Sequence, residues 1–132
     1  MSDSLDTVRF SILLGRKNYA DAYKLAGSLS DAHLKNAMLQ NSLAWTIATQ
    51  PELEKRDLAL AEKMAGRANE ATKGKEPAIL DTLARVQFMN GKTNEAVATE
   101  QKALDIAPDE QKAFLKKFLT SYQEGKLPKA DD

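Results

Sequence analysis

The chain has 132 residues, no cysteine, and 19 Lys and Arg against 19 Asp and Glu. That length supports one domain with its own core, and the missing cysteines exclude disulfides, thiolate zinc sites and cysteine nucleophiles. A formal charge of zero argues against nucleic acid, whose binders draw most of their affinity from a basic excess, and no apolar run reaches the roughly 18 residues of a membrane span.

The opening Met1-Ser2-Asp3-Ser4 lacks the basic-then-apolar layout of a signal peptide. A cytoplasmic location is therefore expected, or an exported one if the chain is a fragment of a longer protein. The first expected helix runs from about Leu5 to Leu14 and turns Leu5, Val8 and Ile12 inward. Phe10, Leu13 and Leu14 lie partly off that stripe. Apolar surface on the end of a stack needs cover, so these residues are expected to meet a second copy of the chain or a further domain.

Asn18 is placed to cap a shorter second helix carrying Tyr19, Ala22, Tyr23 and Ala26. Ser30 is placed to cap a third, running to about Thr49 with Leu39, Leu43, Ala44 and Ile47 inward, and Pro51 ends it. A fourth covers Lys55 to Thr72, with Leu58, Ala61, Ala65 and Ala68 on one stripe and Gly74 as its stop. Pro77 suits the first turn of a fifth, because its missing N–H has no helical partner there. Leu80, Leu83, Ala84 and Phe88 follow at helical spacing up to Gly91.

Thr93 or Asn94 is placed to cap a sixth helix, with Ala96, Val97, Ala103, Leu104 and Ala107 buried. Pro108 closes it, and Asp109 is placed to cap a seventh with Phe114, Leu115, Phe118, Leu119 and Tyr122. Short connections make neighbouring helices antiparallel. The last of them reads as a cap, with Lys112, Lys116, Lys117 and Gln123 forming a polar outer face. Residues 125–132 have little to bury and are expected to form a flexible tail.

Self-similarity ties these helices together. Leu43-Ala44 precedes Ala61, Ala65 and Ala68, and Leu83-Ala84 precedes Ala96, Glu100 and Ala103 at matching spacing. The run Leu80-x-x-Leu83-Ala84, then Gly91, Ala96, Ala103 and Pro108, resembles the tetratricopeptide repeat. Asn41-Ser-Leu-Ala-Trp-x-Ile-Ala-Thr49, Arg56-Asp57-x-Ala-Leu-x-Ala61 and Leu80-Asp-Thr-Leu-Ala84 resemble a bacterial variant of it. The resemblance implies an all-α solenoid of antiparallel hairpins: a weak half-repeat over about 4–28, repeats over about 31–73 and 77–108, and a capping helix over about 109–124. Three features depart from the pattern. Gln87 and Glu100 replace expected aromatics, and Ala44 to Ala61 is 17 residues where Ala84 to Ala96 is 12.

That resemblance implies a scaffold for a protein or peptide partner rather than an enzyme. In the family, the first helix of each pair lines the inside of the superhelix. The corresponding positions here are Met38, Asn41, Ser42 and Trp45, then Asp81, Thr82, Arg85, Phe88 and Met89. Trp and Arg are enriched where binding energy concentrates, so Trp45 and Arg85 are the expected apolar and charged anchors; the plainer reading, compatible with that one, is that Trp45 packs on the neighbouring helix and Arg85 covers it as a stacked cation. Family members that clamp a C-terminal carboxylate use lysines for which there is no counterpart here. The variant also occurs as a tail on exported thioredoxin-like proteins, which implies an alternative role in docking or dimerisation for a larger redox enzyme. No cofactor, catalytic residue or metal is expected: the single histidine, His33, reads as a solvated first-turn residue, and the six glycines are scattered rather than gathered into a phosphate loop.

Overall fold

A computed structural model describes residues 2–130, with side chains from Leu5 onward. Among the described residues there are seven helices and no strand: α1 (Ser2–Gly15), α2 (Tyr19–Ala32), α3 (Ala37–Thr49), α4 (Leu58–Ala71), α5 (Pro77–Met89), α6 (Thr93–Ile106) and α7 (Asp109–Gln123). Their ends follow from local chemistry. The Asn36 side chain accepts the Leu39 N–H at 3.1 Å, and that of Asp57 accepts the Leu60 N–H at 3.0 Å, each satisfying a donor the first turn leaves open. Pro77 opens α5. Gly91, at φ +81°, lets the chain reverse after α5 while the Lys92 N–H closes onto the Gln87 carbonyl at 2.9 Å.

The helices pair as α1 with α2, α3 with α4 and α5 with α6, and α7 closes the stack on α6. Successive odd-numbered helices touch, α1 with α3 and α3 with α5, while no two even-numbered helices share contacts of similar extent. The odd row is therefore the closer-set, inner layer. Ala61, Ala65 and Ala68 of α4, and Ala96 and Ala103 of α6, are wholly buried, because helices that approach this closely leave no room for a larger side chain. One apolar cluster runs from Phe10 through α2, α3 and α4 to Val86. A second joins Leu80 and Ala84 to Ala103, Leu115, Phe118 and Tyr122.

Several boundaries and faces differ from the sequence reading. On α1 the stripes are exchanged: Phe10 is fully buried and Leu14 nearly so, while Leu5, Val8 and Ile12 are 64%, 57% and 48% exposed. Both stripes have helical spacing. The one with the larger apolar volume won, with the Phe10 ring packed 6.3 Å from that of Tyr23. Phe10 and Leu14 are therefore not available to a second copy, and Leu13 is half-buried against the same cluster.

Ser30 does not cap α3; it lies buried inside α2, and Asn36 is the cap. The first hairpin is accordingly a full one, and His33 follows the end of α2 rather than opening a helix. Lys92 and Pro108 stand at the N-caps of α6 and α7, where neither Thr93, Asn94 nor Asp109 supplies a side-chain cap. On α7, Lys116, Lys117 and Gln123 face solvent, and Lys112 is half-buried with its ammonium donating to the Leu104 carbonyl at 3.1 Å. Residues 126–129 carry no regular structure, and residues 131–132 of the expected tail lie outside the described residues.

Besides the first apolar cluster, polar pins hold the first hairpin to the next. Gln40, fully buried on α3, donates from Nε2 to the carbonyls of Ser30 and His33 at 2.8 and 2.9 Å, and accepts from the Ser30 hydroxyl. These bonds satisfy carbonyls at the end of α2 that the helix leaves open. Arg67 of α4 donates to Ser30 Oγ at 2.7 Å and Asp31 at 2.8 Å. The long α3–α4 connection is a strap over the same hairpin. The Tyr23 hydroxyl accepts the Asp57 N–H and donates to the Lys55 carbonyl, and the Tyr19 hydroxyl accepts the Glu54 N–H. Arg56 ties the strap back to the Ile47 carbonyl at 2.7 Å. The extra residues between Ala44 and Ala61 are thus the means by which α1 and α2 are fastened to the next hairpin.

Candidate binding face

The inner face is built from α3 and α5. On α3, Met38 is 81% exposed, Ser42 is exposed, and Asn41 and Trp45 are half-buried one turn apart. On α5, Asp81, Phe88 and Met89 are half-buried, whereas Thr82 and Arg85 are buried. The nine positions therefore divide. Met38, Ser42, the edge of Trp45 and Asp81 reach solvent.

Thr82, Arg85, Phe88 and Met89 are committed inside the protein. Thr82 donates its hydroxyl to the Ala78 carbonyl at 3.1 Å. Phe88 packs on Tyr122 with ring centroids 5.0 Å apart, and Met89 packs against the first cluster. Arg85, only 3% exposed, lies over the Trp45 ring with its guanidinium carbon 5.4 Å from the centroid. It is the stacked cation rather than a free anchor for a ligand, because α6 and α7 close over the α5 face from which it projects.

Glu100 and Tyr122 join this site and were not among the sequence candidates. Glu100 is fully buried on α6, between Ala96 and Ala103. No N–H or hydroxyl donor reaches either of its oxygens, and the buried Tyr122 hydroxyl and Asn41 Oδ1 have no partner; the side-chain hydrogen bond of Glu100 is carboxyl to carboxyl, with Asp81. The signal was present in the sequence: helical spacing puts Glu100 on the same stripe as the buried alanines, where a carboxyl has to be neutralised by something.

The electrostatics follow from that burial. Removal from water pushes the Glu100 carboxyl up to about 9; the neighbouring Asp81 carboxyl pushes the same way, and Arg85 only partly opposes it. Burial likewise raises Asp81, while Glu100 and Arg85 pull it down. Tyr122 is raised by burial, and its hydroxyl lies within the field of Arg85, Asp81 and Glu100. Two carboxyls thus share one guanidinium, and a proton on Glu100 completes the charge balance near neutral pH.

The other departure from the repeat pattern is also resolved. Gln87 faces α6 and accepts the Thr99 hydroxyl at 2.7 Å, so a polar pair stands where aromatic packing was expected. Among the described residues no helix is long and apolar enough to cross a membrane, and no group of His, Asp or Glu is arranged to hold a metal ion. No family model, curated protein or solved structure matches the chain.

Proposed function

We propose that this chain is a non-catalytic interaction module of tetratricopeptide type that receives a protein or peptide segment along the inner face of α3 and α5. The observation that carries this reading is Trp45. It is a half-buried aromatic held flat by Arg85, with Met38 and Ser42 open beside it. A rigid aromatic face costs little entropy to use, and Met adapts to varied partners. Panning a displayed random-peptide library against the chain tests it. Recovered peptides are expected to bind in the micromolar range, about −8 kcal/mol, and to lose about 2 kcal/mol with Trp45→Ala. Met38→Asp and Ser42→Asp, which leave the core untouched, should weaken them as well. Peptides indifferent to all three changes would remove the inner face as the site.

A second reading is favoured by the exposed stripe of Leu5, Val8 and Ile12 on α1. In it, the domain docks or dimerises through α1 as an accessory part of a larger thioredoxin-like protein. Sedimentation of the parent and of a Leu5→Ser, Val8→Ser variant separates the two readings, since only docking through α1 makes self-association or domain contact depend on those residues.

A further inference from the structure

We propose that a basic groove on the edge of the stack, between the α2–α3 connection and the end of α4, is a second binding surface, and that it takes an acidic peptide segment with an apolar residue among its carboxylates. The groove shares no residue with the nine inner-face positions, so it stands apart from the reading above.

The groove has a volume of about 650 Å³. Leu34 and Lys35 of the connection line one wall, Arg67, Glu70 and Ala71 of α4 line the other, and Lys73 follows just beyond the helix. Arg67 is fixed in place: its Nη1 donates to the buried Ser30 hydroxyl and to Asp31, two bonds from a group with five N–H donors. Asp31 is answered by Arg67 and by the charge of Lys63, one turn earlier on α4. Lys35 and Lys73 are exposed and have no ion-pair partner among the described residues. Lys35, Lys63, Arg67 and Lys73 thus stand against Asp31 and Glu70, in a chain whose formal charge is zero. The dipole of a helix C-terminus accounts for a cation such as Lys73, but not for Lys35, which arrives on another segment.

The backbone adds a separate observation. Lys73 has φ +57° beside Gly74 at φ +69°. The Lys73 N–H closes onto the Glu70 carbonyl at 3.1 Å and the Gly74 N–H onto the Asn69 carbonyl at 2.9 Å. Glycine or asparagine takes the left-handed end of a helix with less strain, yet this position holds a lysine that lines the groove.

The ligand chemistry follows. One unpaired ammonium at each wall calls for carboxylates spaced along a chain, and Leu34, 53% exposed, with the exposed Ala71 supplies an apolar part. A nucleic-acid backbone suits the groove less, because Glu70 and Asp31 repel an unbroken row of phosphates, whereas a peptide can set a neutral residue against them.

The probe is an acetylated and amidated Asp-Glu-Leu-Asp-Glu peptide, followed by NMR shifts of the protein. Binding is expected in the millimolar range, with shifts gathered at Leu34, Lys35, Ala71 and Lys73, and weakened by salt. The matching Asn-Gln-Leu-Asn-Gln peptide should not bind, and glycine in place of the leucine should weaken binding. Lys73→Gly removes the cation but suits the left-handed turn, so it should weaken binding by about threefold, the scale of an exposed ion pair, with no loss of thermal stability. Lys35→Gln should do the same, and the two together should weaken binding by about tenfold. A Lys116→Gln, Lys117→Gln variant removes two exposed cations of α7 and should leave binding unchanged. Equal binding of the neutral peptide, shifts centred on Trp45 and the inner face, indifference to both groove variants, or an equal loss in the α7 variant would overturn the proposal. So would a hexathymidylate that displaces the peptide at or below the peptide's own concentration, since that result would make the groove a nucleic-acid site.

Discussion

The Arg85 guanidinium and the Trp45 indole form one unit across α5 and α3, with the cation 5.4 Å from the ring centroid. Each holds the other: the ring covers a charge that is almost wholly out of water, and the charge fixes the ring where it borders the inner face. Arg85 also lies in the field of Asp81 and Glu100 and opposes their shared negative charge. The cover of Trp45 and the neutralisation of the acid pair are therefore joined in the same few residues.

Arg85→Ala is expected to destabilise the fold by about 3–5 kcal/mol, the usual cost of stranding buried charge by removing one partner. Urea unfolding followed by Trp45 emission measures it, and the folded emission should move to the red as the ring loses its cover. Arg85→Lys should recover part of the loss, since an ammonium keeps the charge but not the flat stacking. An unchanged midpoint in Arg85→Ala would mean that the acid pair does not depend on this cation.

Glu100 should make stability fall with rising pH. Its folded value of about 9 lies above its ordinary 4.5, so the folded protein holds a proton that the unfolded chain gives up within that window. The contribution is complete below the lower value and is lost as pH climbs through the higher one. Asp81, raised in the same direction, adds to the slope. Glu100→Gln keeps the neutral shape and should flatten the dependence, leaving the variant more stable than the parent at the alkaline end by about 1–3 kcal/mol. Thermal midpoints of both proteins across the window decide it; parallel curves would count against a protonated Glu100.

The strap should come loose when its tyrosine hydroxyls are removed. Tyr23→Phe deletes one accepted and one donated bond, to Asp57 and Lys55, and Tyr19→Phe deletes the bond from Glu54. Each change is expected to cost about 1–2 kcal/mol. Amide exchange at Glu54 and Asp57 should accelerate selectively, while amides in α5 and α6 keep their protection. Uniform acceleration would show that the strap is not a separate fastening.

Ala61→Leu and Ala96→Leu are each expected to destabilise by about 1–3 kcal/mol, because both sites are wholly buried at close helix contacts. Urea midpoints test the pair, and no change in either would place those alanines away from a tight crossing.

The two stripes of α1 give opposite expectations. Phe10→Ala should cost about 3–5 kcal/mol as a core truncation, whereas Val8→Ser on the exposed side should stay within about 0.5 kcal/mol. Denaturant unfolding of the two variants would reveal which face is inside.

Helix number and order were legible because the signals are local. Pro77, Gly74 and Gly91 act through their own backbone, and the Ala61–Ala65–Ala68 stripe needs only the helical period to be seen. That Met38, Ser42 and Trp45 share one side of α3 was legible for the same reason. Tertiary structure decided what periodicity leaves degenerate. Two stripes on α1 share the same spacing, and packing against residues of α2, α3 and α4, the Tyr23 ring among them, selected Phe10. Ser30 has the chemistry of a cap, but burial against Gln40 and Arg67 drew it into a pin. Glu100 is visible as a misplaced carboxyl, yet its protonation depends on burial and on Asp81 and Arg85, which packing brings to it from α5. A carboxyl's state is set by the dielectric and charges around it, and those come from residues distant in sequence.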